Sequence, residues 1–397
     1  MPLLHDRVFR RRPAFWLLAY ALMMLFVGTT IPTPLYRIYQ AEMHFSSGVL
    51  VLVFAVYVFT LLPALLVCGR VSDRVGRRPV LLAGFAVAAC GAAVFATGRG
   101  LAWLFVGRAL QGIATGITAG TATAALAELE PGRNTDKAAL VASATNVGGA
   151  ALGPVIGGLF AQYGSWPTVL PYLAYLVMMV PIVGLAAIPE TVVRSRPLAL
   201  TFGRPDVPRA IRREFAFAAA TSFTVWAATA LFLTLAPSYV ATVLHLGNRA
   251  LGGGVVFLML GSSALAQMIG RKLPFRSAIT GGLVLLPVGL AGVVLAAPLQ
   301  SAWLMVTGTV LAGAGQGQGF MGSLTLLNRI TPRERRGDVT SSFYVASYLG
   351  VALPALAVGF GAESVGLFTA VAILSASVGV VALGLAAAFV RSPFASR

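Results

Sequence analysis

Long runs of apolar residues alternate with short polar segments along the whole chain. Each run is about twenty residues long, which is enough for an α-helix to cross a bilayer. The pattern predicts twelve membrane spans, at about 14–36, 47–68, 80–98, 101–126, 138–162, 167–189, 214–240, 249–270, 277–297, 301–327, 339–360 and 364–390. We therefore predict an all-α integral membrane protein.

Composition and charge support this interpretation. The chain is 58% hydrophobic and only 10% charged, whereas soluble domains carry about 25% charged residues. Its net charge of +17 would suggest a nucleic-acid partner in a soluble protein. Here most Lys and Arg residues fall in the tails and in alternate connections, which is the distribution of cytoplasmic loops. We expect the inner (plasma) membrane with both termini cytoplasmic, contact with membrane lipids, and no nucleic-acid partner.

The two halves of the chain repeat at a constant offset of 201 residues. Gly112, Gly116 and Gly149 correspond to Gly313, Gly317 and Gly350, and Gly69-Arg70 corresponds to Gly270-Arg271. The repeat predicts two six-helix bundles related by a pseudo-two-fold axis. The expected domains are residues 1–193 and 214–397, joined by a cytoplasmic linker at 194–213. Charged features differ between the halves, since Asp73 corresponds to Pro274 and Glu128 to Arg329.

Residues 69–79, called the basic segment here, connect the second and third spans. They have the form G-x-x-x-D-R-x-G-R-R, which resembles the loop between helices 2 and 3 of the major facilitator superfamily of secondary transporters. The resemblance implies the twelve-helix fold, alternating access and a gating role. The candidate gating residues are Gly69, Asp73, Arg74, Gly76, Arg77, Arg78 and Glu128. Asp73 is expected to dock near residues 338–342, and Arg77 to pair with Glu128. The alternative is a solvated basic loop without a mechanical role.

The fourth span carries a polar face. Arg108, Gln111 and Thr115 are spaced by three and four residues, so they share one side of a helix. Arg-x-x-Gln-Gly at 108–112 resembles the helix 4 motif of proton-coupled exporters in this superfamily. A charge at membrane depth costs about 3 kcal/mol and needs a cavity or a partner. Arg108 is therefore either a substrate- or proton-linked residue or a structural arginine bonded to carbonyl groups.

The fifth span contains G-x-x-x-G-P-x-x-G-G, formed by Gly149, Gly153, Pro154, Gly157 and Gly158. This pattern resembles the helix 5 signature of superfamily antiporters and favours export over import. Glycines four residues apart also allow a neighbouring helix to approach closely, so generic packing is the alternative.

Further polar or aromatic residues could complete a largely apolar substrate cavity. The candidates, beside Arg108, Gln111 and Thr115, are Tyr20, Met24, Asn146, Trp226, Gln316, Tyr344 and Ser347. No carboxylate lies in the middle of a predicted span, although the superfamily's exporters of cationic drugs commonly have one. A cation would be repelled by Arg108, which favours a neutral or weakly anionic substrate.

We therefore expect a secondary active transporter that exports an amphipathic small molecule in exchange for protons. The alternative is a facilitator or importer of a metabolite such as a sugar or an organic anion. No phosphate-binding loop, catalytic cluster or metal-ligand spacing is present in the sequence. We accordingly expect no enzyme activity, no cofactor and no metal, and a monomer.

Overall fold

A computed structural model describes residues 3–192, 207–242, 248–332 and 335–392 of the chain. Within these ranges the secondary structure is helical and no strand occurs. The helices are α1 (Leu3–Thr30), α2 (Tyr36–Met43), α3 (Ser47–Val75), α4 (Arg77–Thr97), α5 (Leu101–Leu129), α6 (Thr135–Tyr163), α7 (Leu170–Met179), α8 (Arg212–Thr234), α9 (Ala236–Thr242), α10 (Arg249–Gly270), α11 (Phe275–Ala296), α12 (Ala302–Ile330), α13 (Arg336–Val365) and α14 (Leu367–Val390). Short 3₁₀ segments lie at Thr33–Leu35, Val180–Ala187 and Arg209–Ile211.

Local sequence explains several helix boundaries. Asn134, Asn248 and Ser301 each accept a backbone N–H bond at the start of α6, α10 and α12. Such side chains satisfy donors that the first turn of a helix leaves open. The predicted sixth span is α-helical only to Met179 and continues as a 3₁₀ segment, where Pro181 lacks the N–H needed for an α-helical bond.

Ten segments of the described chain are long and apolar enough to cross a membrane. The first, Arg11–Met43, includes most of α1 together with the 3₁₀ segment and α2. The long helices α5 and α12 are not among the ten. Both are rich in glycine and polar residues, which lower their hydropathy. The total of twelve spans therefore stays a prediction.

The chain divides into two compact units, Met1–Tyr39 with Val56–Gly203, and Gln40–Ala55 with Arg204–Arg397. The predicted domains and linker stay a prediction, because residues 193–206 lie outside the described residues. In the first unit α1 packs on α5 and α6, and α4 packs on α5 and α7. Buried leucines of α1, such as Leu18, Leu22 and Leu25, contribute to its core.

In the second unit α12 packs on α8, α10 and α11, and α13 packs on α8. Glycines bring α11 and α12 into backbone contact, Gly282 against Gly315 and Gly289 against Gly308. Small residues permit such close approach between membrane helices. Glycines related by the offset of 201 also meet carbonyl groups of their own unit: Gly149 meets Met23 of α1, and Gly350 meets Phe223 of α8.

Candidate functional site

The end of α1 provides two backbone carbonyl groups as hydrogen-bond acceptors. Gly28 and Thr29 lie in the last turn of this helix, where carbonyl groups lack regular helical donors. Pro32 stands four residues after Gly28 and has no N–H, so it cannot bond to the Gly28 carbonyl. The C-terminal end of a helix also carries a partial negative charge. This local break therefore creates an acceptor site for polar groups from another helix.

Two side chains of α5 occupy that acceptor site. Arg108 Nη1 donates to Thr29 O at 2.8 Å and to Gln111 Oε1 at 2.8 Å. Gln111 Nε2 donates to Gly28 O at 2.8 Å. The guanidinium group is almost fully enclosed, since Arg108 is 1% exposed. Arg108 thus bonds to a backbone carbonyl, as the structural alternative predicts, and its substrate- or proton-linked role stays a prediction.

Neutral polar and aromatic groups surround this arginine. The guanidinium carbon lies 4.6 Å from the centre of the Tyr57 ring, within the range of a cation–π interaction. Thr115 donates to the Gln111 carbonyl at 2.8 Å. Beside Gly28, Thr29 and Gln111 lies a cavity of about 10 Å³ that Tyr175 helps to line. That volume corresponds to about one water molecule.

The first unit contains three other candidate cavity residues, Tyr20, Met24 and Asn146. Tyr20 donates to the Met178 carbonyl at 2.5 Å, which ties α1 to α7. Met24 is buried in the core, and Asn146 of α6 is half-buried. The structure therefore brings Arg108, Gln111 and Thr115 together, while Tyr20 and Met24 belong to neighbouring packing.

In the second unit the candidates form two kinds of contact. Gln316 accepts a hydrogen bond from Ser263 at 2.5 Å, and the hydroxyl oxygens of Ser347 and Ser222 are 2.6 Å apart. These buried pairs join α12 to α10 and α13 to α8.

Aromatic rings gather around Phe320 in the same unit. Its centre lies 5.6 Å from the Trp226 ring and 6.2 Å from the Tyr344 ring. The Trp226 indole N–H is buried and has no hydrogen-bond partner among the described residues. A buried donor of this kind is rare and is available to a ligand acceptor. Phe320 and Ser263 were not predicted, since neither is distinct from the surrounding apolar and small residues.

Gly149, Gly153 and Gly157 form a stripe on α6 that faces α1. An added methyl group would collide with the carbonyl groups of Met23 at Gly149, Val27 at Gly153 and Ile31 at Gly157. These carbonyls are four residues apart, two on α1 and the third on the residue that follows it, so the stripe follows one ridge of that helix to its end. Pro154 and Gly158 are buried inside the continuous helix α6. The stripe therefore packs against the helix whose end holds Arg108.

The sequence predicted that the basic segment is a loop, but the structure shows that it is almost entirely helical. Helix α3 continues to Val75 and α4 begins at Arg77, so only Gly76 interrupts the helical backbone. Gly69 lies within α3 and makes no turn. Polar helix ends can extend beyond the apolar span because water satisfies their side chains. Gly76 has φ 110°, a conformation that side chains strongly disfavour, so the turn depends on this glycine.

Arg77 is the centre of the ionic contacts in this segment. Its guanidinium lies 2.6 Å from Asp73 and 3.0 Å from Glu128, and it donates to Ser72 at 2.6 Å. The pairing of Arg77 with Glu128 is therefore present. Asp73 is largely exposed, and its docking near residues 338–342 stays a prediction.

Glu190 is a contact residue that the sequence did not reveal. Its carboxylate accepts the backbone N–H groups of Arg77 at 2.7 Å and Arg78 at 3.0 Å, which caps the start of α4. A carboxylate there also complements the positive end of the helix. Thr191, next in the chain, donates to Glu128, so the segment after the 3₁₀ helix joins this network.

Acidic residues avoid the interior of the helices. In the described segments every Asp and Glu lies within three residues of a helix end or in a connection. Across the same ranges, no group of His, Cys, Asp or Glu side chains could hold a metal ion. The interior polar groups are therefore an arginine, amides, hydroxyl groups and an indole.

Comparison with known proteins gives consistent matches. A family model described as Major Facilitator Superfamily matches residues 16–355. The class C tetracycline resistance protein of Escherichia coli is 38% identical over 131 residues, 33% of this chain and 31% of that protein. The tetracenomycin C resistance and export protein of Streptomyces glaucescens is 30% identical over 162 residues, 40% of this chain and 30% of that protein. The chain thus spans less than a third of these curated relatives.

Solved structures share the fold. A bacterial homologue of the human lysosomal transporter Spinster, in an inward-facing and unoccupied conformation, matches with a TM-score of 0.72 at 16% sequence identity. The match covers 96% of both chains.

Proposed function

Because the chain belongs to the Major Facilitator Superfamily, we propose that it exports a neutral or weakly anionic amphipathic small molecule in exchange for protons. Membership makes the chain a multi-pass membrane transporter of small molecules and not an enzyme. The direction of transport, the coupling ion and the substrate class are the parts that we add.

The location of the charges supports the proposed substrate class. Arg108 is an enclosed charge in the interior of α5, while the acids of the described segments lie near helix ends. Two unit charges 4 Å apart interact by about 4 kcal/mol at an effective dielectric constant of 20. The α1 terminus offsets about half a charge, which leaves about 2 kcal/mol against a cation near Arg108. This repulsion would weaken the binding of a cation near Arg108 by roughly 30-fold.

Export is supported by the glycine stripe of α6 and by the relatives. The stripe packs on α1, so a shift between α6 and α1 would move the Thr29 carbonyl, which accepts a hydrogen bond from Arg108. Curated relatives are named for tetracycline resistance and for tetracenomycin C resistance and export. A movement of α6 against α1 would in this way be coupled to the polar groups around Arg108.

The remaining parts of the proposal concern the whole cycle. Twelve spans in two bundles rock about a central site in alternating access. Gly69, Asp73, Arg74, Gly76, Arg77, Arg78 and Glu128 stabilise one closed state from the cytoplasmic side. Both termini lie in the cytoplasm, the membrane is the inner (plasma) membrane, and the transporter works as a monomer.

A facilitator of a metabolite is the second candidate, because the helix interiors of the described segments hold no carboxylate, which is the commonest proton carrier. Arg108 suits an organic anion in either mechanism. The two candidates predict the same ligand charge but differ in coupling.

A thermal-shift screen of the purified protein tests the substrate class. The panel contains tetracycline, uncharged amphipaths and organic anions of similar size, together with tetraphenylphosphonium as the cation. We expect stabilisation by neutral or anionic compounds, and loss of that effect in Arg108→Gln. Stabilisation by tetraphenylphosphonium alone would refute the proposed class.

A further inference from the structure

A basic pocket lies in the second unit, where α10, α11 and α12 end or begin. Its volume is about 440 Å³, and its walls include Arg271, Lys272, Arg276 and Arg329. Thr325 adds a hydroxyl group. We propose that this basic pocket binds the phosphate group of an anionic phospholipid.

Among the described residues that line the pocket, none is acidic. In the portion of the chain that the structure describes, none of the four cationic side chains pairs with a carboxylate. Like charges held close together repel one another, so a bound anion relieves that repulsion. Phosphate oxygens suit arginine because two parallel N–H bonds match their geometry.

The position of Arg329 is occupied by an acidic residue in the first half of the chain. At the offset of 201 residues, Arg329 stands where Glu128 pairs with Arg77. The second half replaces that internal carboxylate with another cation. An external anion in the basic pocket would provide the negative charge that Glu128 provides in the first half.

Two structural features hold the cations around an anion. The ring of Phe275 lies 5.3 Å from the Arg329 guanidinium carbon and 5.9 Å from that of Arg276, which positions both groups. Phe275 also begins the 22-residue helix α11, whose first N–H groups and dipole favour an anion. The start of α11 and the four cationic side chains thus line one cavity.

The surroundings favour a lipid over a free phosphate. Residues at the end of α10 and in the following connection expose apolar side chains, with Ile269 72% and Leu273 50% exposed. Leu265 and Met268 are exposed on the same part of α10. Acyl chains can cover such a surface while the headgroup reaches the cations. A soluble phosphate would use the cations alone.

Native mass spectrometry of the detergent-purified full-length protein tests the proposal without any transport measurement. The probes are phosphatidylglycerol, phosphatidylcholine with the same acyl chains, and inorganic phosphate as a competitor. The test variant is Arg276→Gln/Arg329→Gln. Its matched control is Arg212→Gln/Arg213→Gln, which removes two exposed charges near the start of α8.

We expect the wild type and the control to bind phosphatidylglycerol at least about tenfold more tightly than phosphatidylcholine. The test variant should lose about 25-fold, or about fivefold for each charge removed. Arg329→Glu places at this position the acid that the first half has as Glu128. This variant should also lose phosphatidylglycerol binding, and it keeps the proposal testable if the double variant does not fold.

Equal binding of both lipids by the wild type, or equal loss in the test variant and the control, would overturn the proposal. Full displacement of phosphatidylglycerol by about 10 mM inorganic phosphate would assign the pocket to free phosphate instead and would also overturn it.

Discussion

Replacement of Arg108 by glutamine separates a transport role from a purely structural one. The contacts of Arg108 include hydrogen bonds of 2.8 Å to Thr29 O and to Gln111 Oε1. Hydrogen bonds to charged groups contribute about 1.5–3 kcal/mol each, so their loss costs about 3–6 kcal/mol. Removal of a charge from the membrane interior stabilises the protein by about 3 kcal/mol. The net loss of stability is therefore about 0–3 kcal/mol, which leaves a folded protein.

Transport should respond far more strongly than stability. Glutamine cannot hold Thr29 and Gln111 together and offers no positive charge, so we expect the transport rate to fall at least about tenfold. Arg108→Lys keeps the charge but not the planar fork, and its rate should lie between those of the wild type and the glutamine variant. Initial rates in proteoliposomes, compared with thermal unfolding of the same samples, give both quantities.

Arg99→Gln is the matched control, because Arg99 is exposed and its replacement removes the same charge without a buried contact. Wild-type transport by folded Arg108→Gln would refute a transport role. A rate that falls only in proportion to the fraction of folded protein would assign Arg108 to structure alone.

Three further predictions test other contacts. Gly149→Ala should lower stability by about 1–3 kcal/mol, because its methyl group meets the Met23 carbonyl, whereas Gly148→Ala meets no atom within 4 Å and should be neutral; equal shifts in thermal unfolding would contradict the stripe. Arg77→Gln, Glu128→Gln and the double variant should give a coupling free energy of about 1 kcal/mol for this partly buried pair, and strictly additive effects would show that the ion pair contributes nothing. Lys137, 2.8 Å from Glu130, lowers the pKa of that carboxyl below its usual 4.5. The associated stability is complete above pH 4.5 and is lost as the pH falls through the lowered pKa, so Glu130→Gln should reduce the pH dependence of unfolding below about 4.5; an unchanged profile would rule out this contribution.

Local features of the site could be predicted from the sequence because they depend on helical spacing. Arg108 and Gln111 are three residues apart and share a hydrogen bond, and the glycines of α6 four residues apart form one packing face. The partner of both sets, α1, lies about eighty or more residues away in the chain. No periodicity indicates that α1 would present its terminal carbonyls to Arg108 and Gln111.

The basic segment shows the same limit. Its charges predicted ionic contacts, and Arg77 does pair with Glu128. The continuation of α3 to Val75 was missed because polar residues at the end of a span have no apolar pattern that distinguishes helix from loop. The cap from Glu190 was missed because its partners are backbone N–H groups more than a hundred residues earlier in the chain.

Coupled flux in proteoliposomes tests the central claim most directly. Purified protein is reconstituted, a pH gradient of either sign is imposed, and uptake of a compound identified by the thermal-shift screen is followed together with internal pH. Proton-coupled export predicts accumulation above equilibrium with one sign of the gradient, release with the other, and proton movement in the opposite direction to the compound. Equilibration down the concentration gradient, with the same rate and end point under both signs, would contradict antiport.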